Sequence, residues 1–107
     1  MTFLLQSQVS ITPTALAKIV AEKPTFEEGM IEGLNWSKRS YQTDPDGTIS
    51  NEVFNHFVWG GFWLKDFPVE SIWEFGDWRM YIQDGRWKDT DKLKLSIKDG
   101  ALSLDMA

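Results

Sequence analysis

The sequence predicts an α+β domain in which N-terminal helices pack on a C-terminal antiparallel β-meander, with a short N-terminal strand. Three observations carry this expectation. Helix-start signals and apolar residues at helical spacing recur from Thr12 to Glu74. From Gly76 onward the apolar residues alternate with polar ones. Two Asp-Gly pairs, Asp84-Gly85 and Asp99-Gly100, punctuate that alternation where two-residue hairpin loops favour them. Helices first and strands last is the α+β order.

Thr2 to Val9 starts apolar and then alternates, which suits a short strand. Thr12–Glu22 is the best-marked helix. Thr12 is its cap, Pro13 sits at the first helical position, and Ile11 can staple onto Leu16. Leu16, Ile19 and Val20 form its apolar stripe, and Lys23-Pro24 ends it. Thr25-Phe26-Glu27-Glu28 matches a capping box, and Phe26, Met30, Ile31 and Leu34 continue at helical spacing. Gly29 and Gly33 weaken that second helix by about 1 kcal/mol each relative to alanine.

Asn35 to Ser50 is polar, with a turn at Asp44-Pro45-Asp46-Gly47. Ser50 then caps an expected helix reaching about Trp59, with Phe54, Phe57 and Val58 on its apolar face. Gly60-Gly61 either breaks this helix or forms the loop of a hairpin, His56–Trp59 against Phe62–Lys65. Asp66 opens a further short helix, with Val69, Ile72 and Trp73 on one face and Gly76 as its stop. In the expected meander, Trp78, Met80 and Ile82 share a face, Asp84-Gly85 turns to Arg86-Trp87-Lys88, and Leu93, Leu95 and Ile97 follow. Asp99-Gly100 then turns the chain to Leu102, Leu104 and Met106.

The 107 residues make one domain, 1–107, because two halves would each be too small for a self-sufficient core. With no cysteine, thiolate catalysis, disulfides, zinc-thiolate sites and iron–sulfur clusters are excluded. The N-terminus lacks a basic signal-peptide region, and no window approaches the roughly 20 apolar residues of a membrane span. A cytoplasmic protein is the expectation. The net charge of −5 is uneven: Met1–Phe75 holds ten acidic and five basic residues, and the remainder six of each. An acidic N-terminal part argues against a phosphate-tracking surface there and favours a basic partner.

Gln42 to Val53 resembles an EF-hand loop in its middle, with Asp44 and Asp46 at the third and fifth positions, Gly47 at the sixth and Ile49 at the eighth. Gln42 and Val53 replace the first aspartate and the twelfth, bidentate glutamate, so a turn before a capped helix is expected instead of a calcium site. His56 is the one histidine, with Glu52 its only carboxylate neighbour at helical spacing, and two ligands do not make a metal site. No serine sits in a Gly-x-Ser-x-Gly elbow. Of the acids near tryptophans (Glu74, Asp84, Asp89, Asp91), Asp84 already serves a turn, and no cleft holding two facing carboxylates is indicated. Neither catalysis nor a cofactor is expected.

Phe54 to Trp87 holds eleven of the chain's fifteen aromatic residues. Rings of this kind bury about 150–250 Å² each and dominate a core or an interface. Periodicity assigns Phe54, Phe57, Trp73 and Trp78 to the core, carries Phe62 one turn on along the expected helix face, and leaves Trp36, Trp59, Trp63 and Trp87 unassigned, equally open to core and surface. The functional expectation is a non-enzymatic protein that binds, and inhibits or regulates, a protein partner. Trp59, Phe62, Trp63 and Trp87 would anchor it, and Glu27, Glu28, Glu32, Asp44 and Asp46 would steer a basic surface. Inhibitors, immunity proteins and anti-defence factors of bacteria and phages share this small, acidic, aromatic-rich composition; the likeness is compositional only. A homodimer is the alternative use of the same patch. Another reading stacks a sugar or nucleobase on Trp63, Trp78 or Trp87. A third places single-stranded nucleic acid on the C-terminal sheet, where Arg79, Arg86, Lys88, Lys92, Lys94 and Lys98 interleave with Trp78, Tyr81 and Trp87. The equal count of acids disfavours that third reading, because Lys92, Lys94 and Lys98 then form the wet side of a half-buried sheet.

Overall fold

Of the expected helices, one forms. The structure, a computed structural model, describes residues 3–37, 40–43, 45–47, 49–52 and 56–107. Among them α1 (Pro13–Glu22) is the single α-helix. Thr12 caps it as anticipated, its Oγ1 accepting from the Ala15 N–H at 3.2 Å, and Pro13 occupies the first turn. Ala15 and Ile19 are its buried residues, whereas Val20 is exposed.

The expectation of several N-terminal helices on a meander is overturned, because strands dominate the described chain. They are β1 (Val9–Ile11), β2 (Met30–Ser37), β3 (Ser40–Thr43), β4 (Ile49–Glu52), β5 (His56–Trp63), β6 (Trp73–Phe75), β7 (Trp78–Gln83), β8 (Leu93–Lys98) and β9 (Ala101–Met106). Seven of them make two sheets, ordered β5-β2-β7-β6 and β1-β8-β9; β3 and β4 pair as a separate hairpin.

The capping box at Thr25 is not used as a helix start. Gly29 takes φ +88, a conformation that suits glycine, and turns the chain into β2. Eight β2 residues, Met30 to Ser37, then pair antiparallel with Trp63 to His56, and Gly33 to Asn35 pair parallel with Tyr81 to Gln83. These long-range ladders override a helix already weakened by its two glycines. The expected helix from Ser50 becomes β4 and β5, and Gly60-Gly61 is neither break nor loop but lies inside β5. The expected helix from Asp66 becomes two 3₁₀ turns, Leu64–Asp66 and Val69–Ser71, followed by β6. Gly76 (φ +70) stops no helix; it starts the two-residue loop of the β6–β7 hairpin.

The meander also differs. Asp99-Gly100 does connect β8 to β9, both residues at positive φ as a type I′ loop requires. Asp84-Gly85 connects no hairpin: β7 belongs to one sheet and β8 to the other. The N-terminal strand is shifted to Val9–Ile11, where it pairs parallel with β8, and Phe3 keeps only an isolated bridge to Gln83.

The main core lies between the two sheets and α1. Leu34, Trp73, Met80 and Ile82 enter it from the larger sheet, Val9, Leu93, Leu95 and Leu104 from the smaller, and Ala15 and Ile19 from the helix. On the other face of the larger sheet, Ile31, Phe67 and Tyr81 form a second cluster with Phe3, Phe62, Leu64 and Ile72 packed against it. Strand β2 is thus covered on both faces.

The edges of the larger sheet are treated differently. At β6 the Gln6 amide acts as an added strand: its Nε2 donates to the Glu74 carbonyl at 3.0 Å, and its Oε1 accepts from the Glu74 N–H at 2.9 Å. At β5, among the described residues, no strand is bonded to the outer side.

Candidate interaction surface

Trp63 is 46% exposed. It ends β5 opposite Met30. A Cβ on Gly29 would lie 3.8 Å from its ring, and a Cβ on Gly61 would lie 3.1 Å from both Met30 Cε and Phe26 Cδ2. Phe26 and Met30 therefore cover Gly61, with Trp63 next to them, and Phe26 is itself 37% exposed. Glu27 and Glu28, also exposed, stand in the turn between Phe26 and Met30. This corner brings together Trp63, Glu27 and Glu28 from the residues singled out in the sequence and adds Phe26 and Met30.

The other named residues fall elsewhere. Trp59 is half-buried against the main core. Phe62 packs in the second cluster, its ring 5.3 Å from Tyr81 and 5.6 Å from Phe3. Trp87 is half-buried against the main core and donates from Nε1 to Asp84 Oδ2 at 3.0 Å. Glu32 is nearly buried and does structural work: its carboxylate accepts from the Phe26 N–H at 3.0 Å and pairs with Lys23 Nζ at 3.4 Å. Burial opposes its ionisation, but the Phe26 N–H, its own N–H and the Lys23 charge outweigh burial and hold its carboxyl below the ordinary value. Asp46 is exposed in its turn. Asp44 lies outside the described residues, as do Phe54 and the Val53 position of the calcium-loop resemblance.

A second constellation was not anticipated. Asp84 is fully buried and accepts from the Arg86 backbone N–H (3.1 Å), Arg86 Nη2 (2.7 Å) and Trp87 Nε1. The Arg86 guanidinium lies 3.5 Å from the Trp36 ring centroid and 5.1 Å from that of Trp87. Gln8 Nε2 donates to the carbonyls of Lys88 and Asp91, so two buried polar side chains, Asp84 and Gln8, fix the loop from Asp84 to Asp91. That loop forms one wall of an open cleft of about 480 Å³, where Trp87 and Asp89 face Phe3, Pro68 and Glu70. The sequence signal for this constellation is Asp84, Arg86 and Trp87 within four residues, a grouping that the Asp-Gly hairpin signal masks.

On the C-terminal sheet, Lys98 pairs with Asp105 at 2.9 Å, and Lys94 stands opposite Asp105 in the β8–β9 register. The Lys98 hydrogen bond first, and Ser103 after it, hold the Asp105 carboxyl low. Among the described residues no helix is long and apolar enough to cross a membrane.

No family model, curated protein or solved structure matches the chain.

Proposed function

We propose that this chain is a binding protein, without a reaction of its own, that docks on a protein partner through the corner built by Phe26, Met30 and Trp63. The observation that supports it is the exposure of Trp63 beside two further apolar side chains in an acidic setting. A partly exposed tryptophan with apolar neighbours is the composition of an interface anchor, and Glu27 and Glu28 at its rim raise the encounter rate with a basic partner. Docking there blocks the partner's surface sterically. The test uses tagged wild type and the Phe26→Ala/Trp63→Ala double variant as baits in host lysate, with mass spectrometry of what is retained. A protein held by wild type and lost from the folded double variant is the expected result. Equal retention contradicts the reading.

The cleft beside Trp87 favours one second reading, a neutral sugar stacked on its ring. Glu70 and Asp89 accept from hydroxyl groups there, and two carboxylates against the one ammonium of Lys88 disfavour a phosphate-bearing nucleotide. A saturable change in tryptophan emission with an oligosaccharide, abolished by Asp89→Asn, supports it; silence contradicts it.

A further inference from the structure

We infer that the outer edge of β5 pairs with β5 of a second copy of this chain about a twofold axis at Gly60, joining two four-stranded sheets into one. The inference goes beyond the partner-binding reading, though the two share Trp63.

The direction of the backbone groups comes first. Leu64 N donates to the Gly29 carbonyl at 2.8 Å, which makes Gly29 and Leu64 a hydrogen-bonded antiparallel pair. Such pairs alternate along a ladder. With the observed register, Phe62, Gly60, Val58 and His56 turn their N–H and C=O groups toward β2. Phe57, Trp59, Gly61 and Trp63 turn theirs outward. Among the described residues, that is a row of groups with no backbone partner along an eight-residue strand. From His56 to Trp63 the strand carries no Asp, Glu, Lys, Arg or Pro, the devices that ordinarily protect an edge. In this chain protection is applied at the opposite edge, where Gln6 occupies β6.

The register of self-pairing follows from parity. Outward residues must pair with outward residues, and an axis at Gly60 is the arrangement in which all four do so. Phe57 then stands opposite Trp63 of the second copy, and Trp59 opposite Gly61. Each Trp59 ring meets a residue without a side chain, as Tyr81 meets Gly33 inside the monomer. Gly60 faces Gly60 at the axis in a non-hydrogen-bonded pair, where antiparallel strands approach most closely. An axis at Trp59 would set tryptophan against tryptophan and leave Trp63 beyond the partner strand.

Charge fits the same occupant. Trp36, the β2 partner of Phe57, carries the Arg86 guanidinium over its ring, and Asp84 pairs with that guanidinium at 2.7 Å, so the pair leaves no net charge at that end of the edge. The Trp63 end carries Glu27 and Glu28, while Lys65 and Asp66 beyond it cancel. Antiparallel pairing sets the acidic end of each copy against the charge-balanced end of the other, which keeps the two acidic ends apart, and the uncharged strand puts no like charges opposite each other.

The absence of cysteine makes the test clean. Gly60 accepts an L-residue without positive φ, and a Cβ there lies 2.7 Å from Asn35 Nδ2, which has to shift from its bond to the Tyr81 hydroxyl to make room. Across the axis the two Cα atoms would be about 4.5 Å apart, within disulfide range. Wild type should sediment at twice its 12.4 kDa at high micromolar concentration. Gly60→Cys should form a disulfide-linked dimer on mild oxidation, and a cysteine at exposed Thr14 should not. Val58→Lys, which sets a charge on the edge, should weaken the dimer at least about tenfold. A monomeric wild type, a dimer insensitive to Val58→Lys, or a dimer in which Gly60→Cys stays reduced overturns the inference. A monomer that still holds its partner through Phe26 leaves the proposed function standing. A dimer whose folded Phe26→Ala/Trp63→Ala variant retains the same proteins as wild type removes the proposed function and not the edge pairing.

Discussion

Tyr81 lies across Gly33 of the neighbouring strand, in the space a side chain at that position would fill: a Cβ on Gly33 would overlap both the Tyr81 ring and its carbonyl. This contact closes the second cluster over the centre of the larger sheet, and Asn35 Nδ2 completes it by donating to the Tyr81 hydroxyl at 3.1 Å. Gly33→Ala should therefore destabilise the protein by at least about 2 kcal/mol, read as a shift in the urea midpoint. A neutral effect would show that the ring does not occupy this place.

The buried Asp84 carboxylate is matched by Arg86 and by Trp87 Nε1. Asp84→Ala strips the partly exposed Arg86 and Trp87 of that acceptor and should cost about 1.5–3 kcal/mol, with a changed tryptophan emission as Trp87 loses its anchor. Chemical unfolding followed by fluorescence checks both.

Gln6→Ala should cost about 1 kcal/mol, since two partly solvated hydrogen bonds to Glu74 are lost. It also opens the β6 edge, so light scattering on heating should rise earlier than in wild type. A variant indistinguishable in both measurements would show that Gln6 does not guard the edge.

Glu32 sets part of the acid limb of stability. Its carboxyl in the fold is held below the ordinary value of 4.5. The native state thus binds the proton less readily than the unfolded chain does, and the contribution is complete above that ordinary value. It is lost as pH falls through the lower, folded value. Glu32→Gln should lower stability at neutral pH and flatten its decline on acidification. A parallel pH profile for the two proteins would contradict this assignment.

Much of the fold was hidden from the sequence for identifiable reasons. α1 and the β8–β9 hairpin were legible because their signals are local: Thr12-Pro13 at one, Asp99-Gly100 at the other. β2 was not, because a strand covered on both faces does not alternate. Its Ile31, Glu32, Gly33 and Leu34 are all buried, and the spacing of Met30, Ile31 and Leu34 then imitates a helix. The Glu32 carboxylate reads as a surface charge in the sequence because its partners, the Phe26 N–H and Lys23, meet it only once the chain has turned at Gly29. Asp84 carried a strong hairpin signal and serves another purpose, holding Arg86 and Trp87. At the corner, composition alone points to Trp63, Glu27 and Glu28, whereas the spacing of Phe26 and Met30 fits a helix face. What joins them is the β2–β5 register, which no local pattern encodes.

The central claim is that Phe26 and Trp63 anchor a protein partner. The most direct measurement is the affinity of the retained partner for wild type and for Trp63→Ala, by calorimetry, with melting curves recorded alongside. The account predicts at least about a tenfold weakening, or 1.4 kcal/mol, with the melting temperature little changed because nearly half of the Trp63 surface is already exposed. Unchanged affinity in a folded Trp63→Ala protein would contradict it.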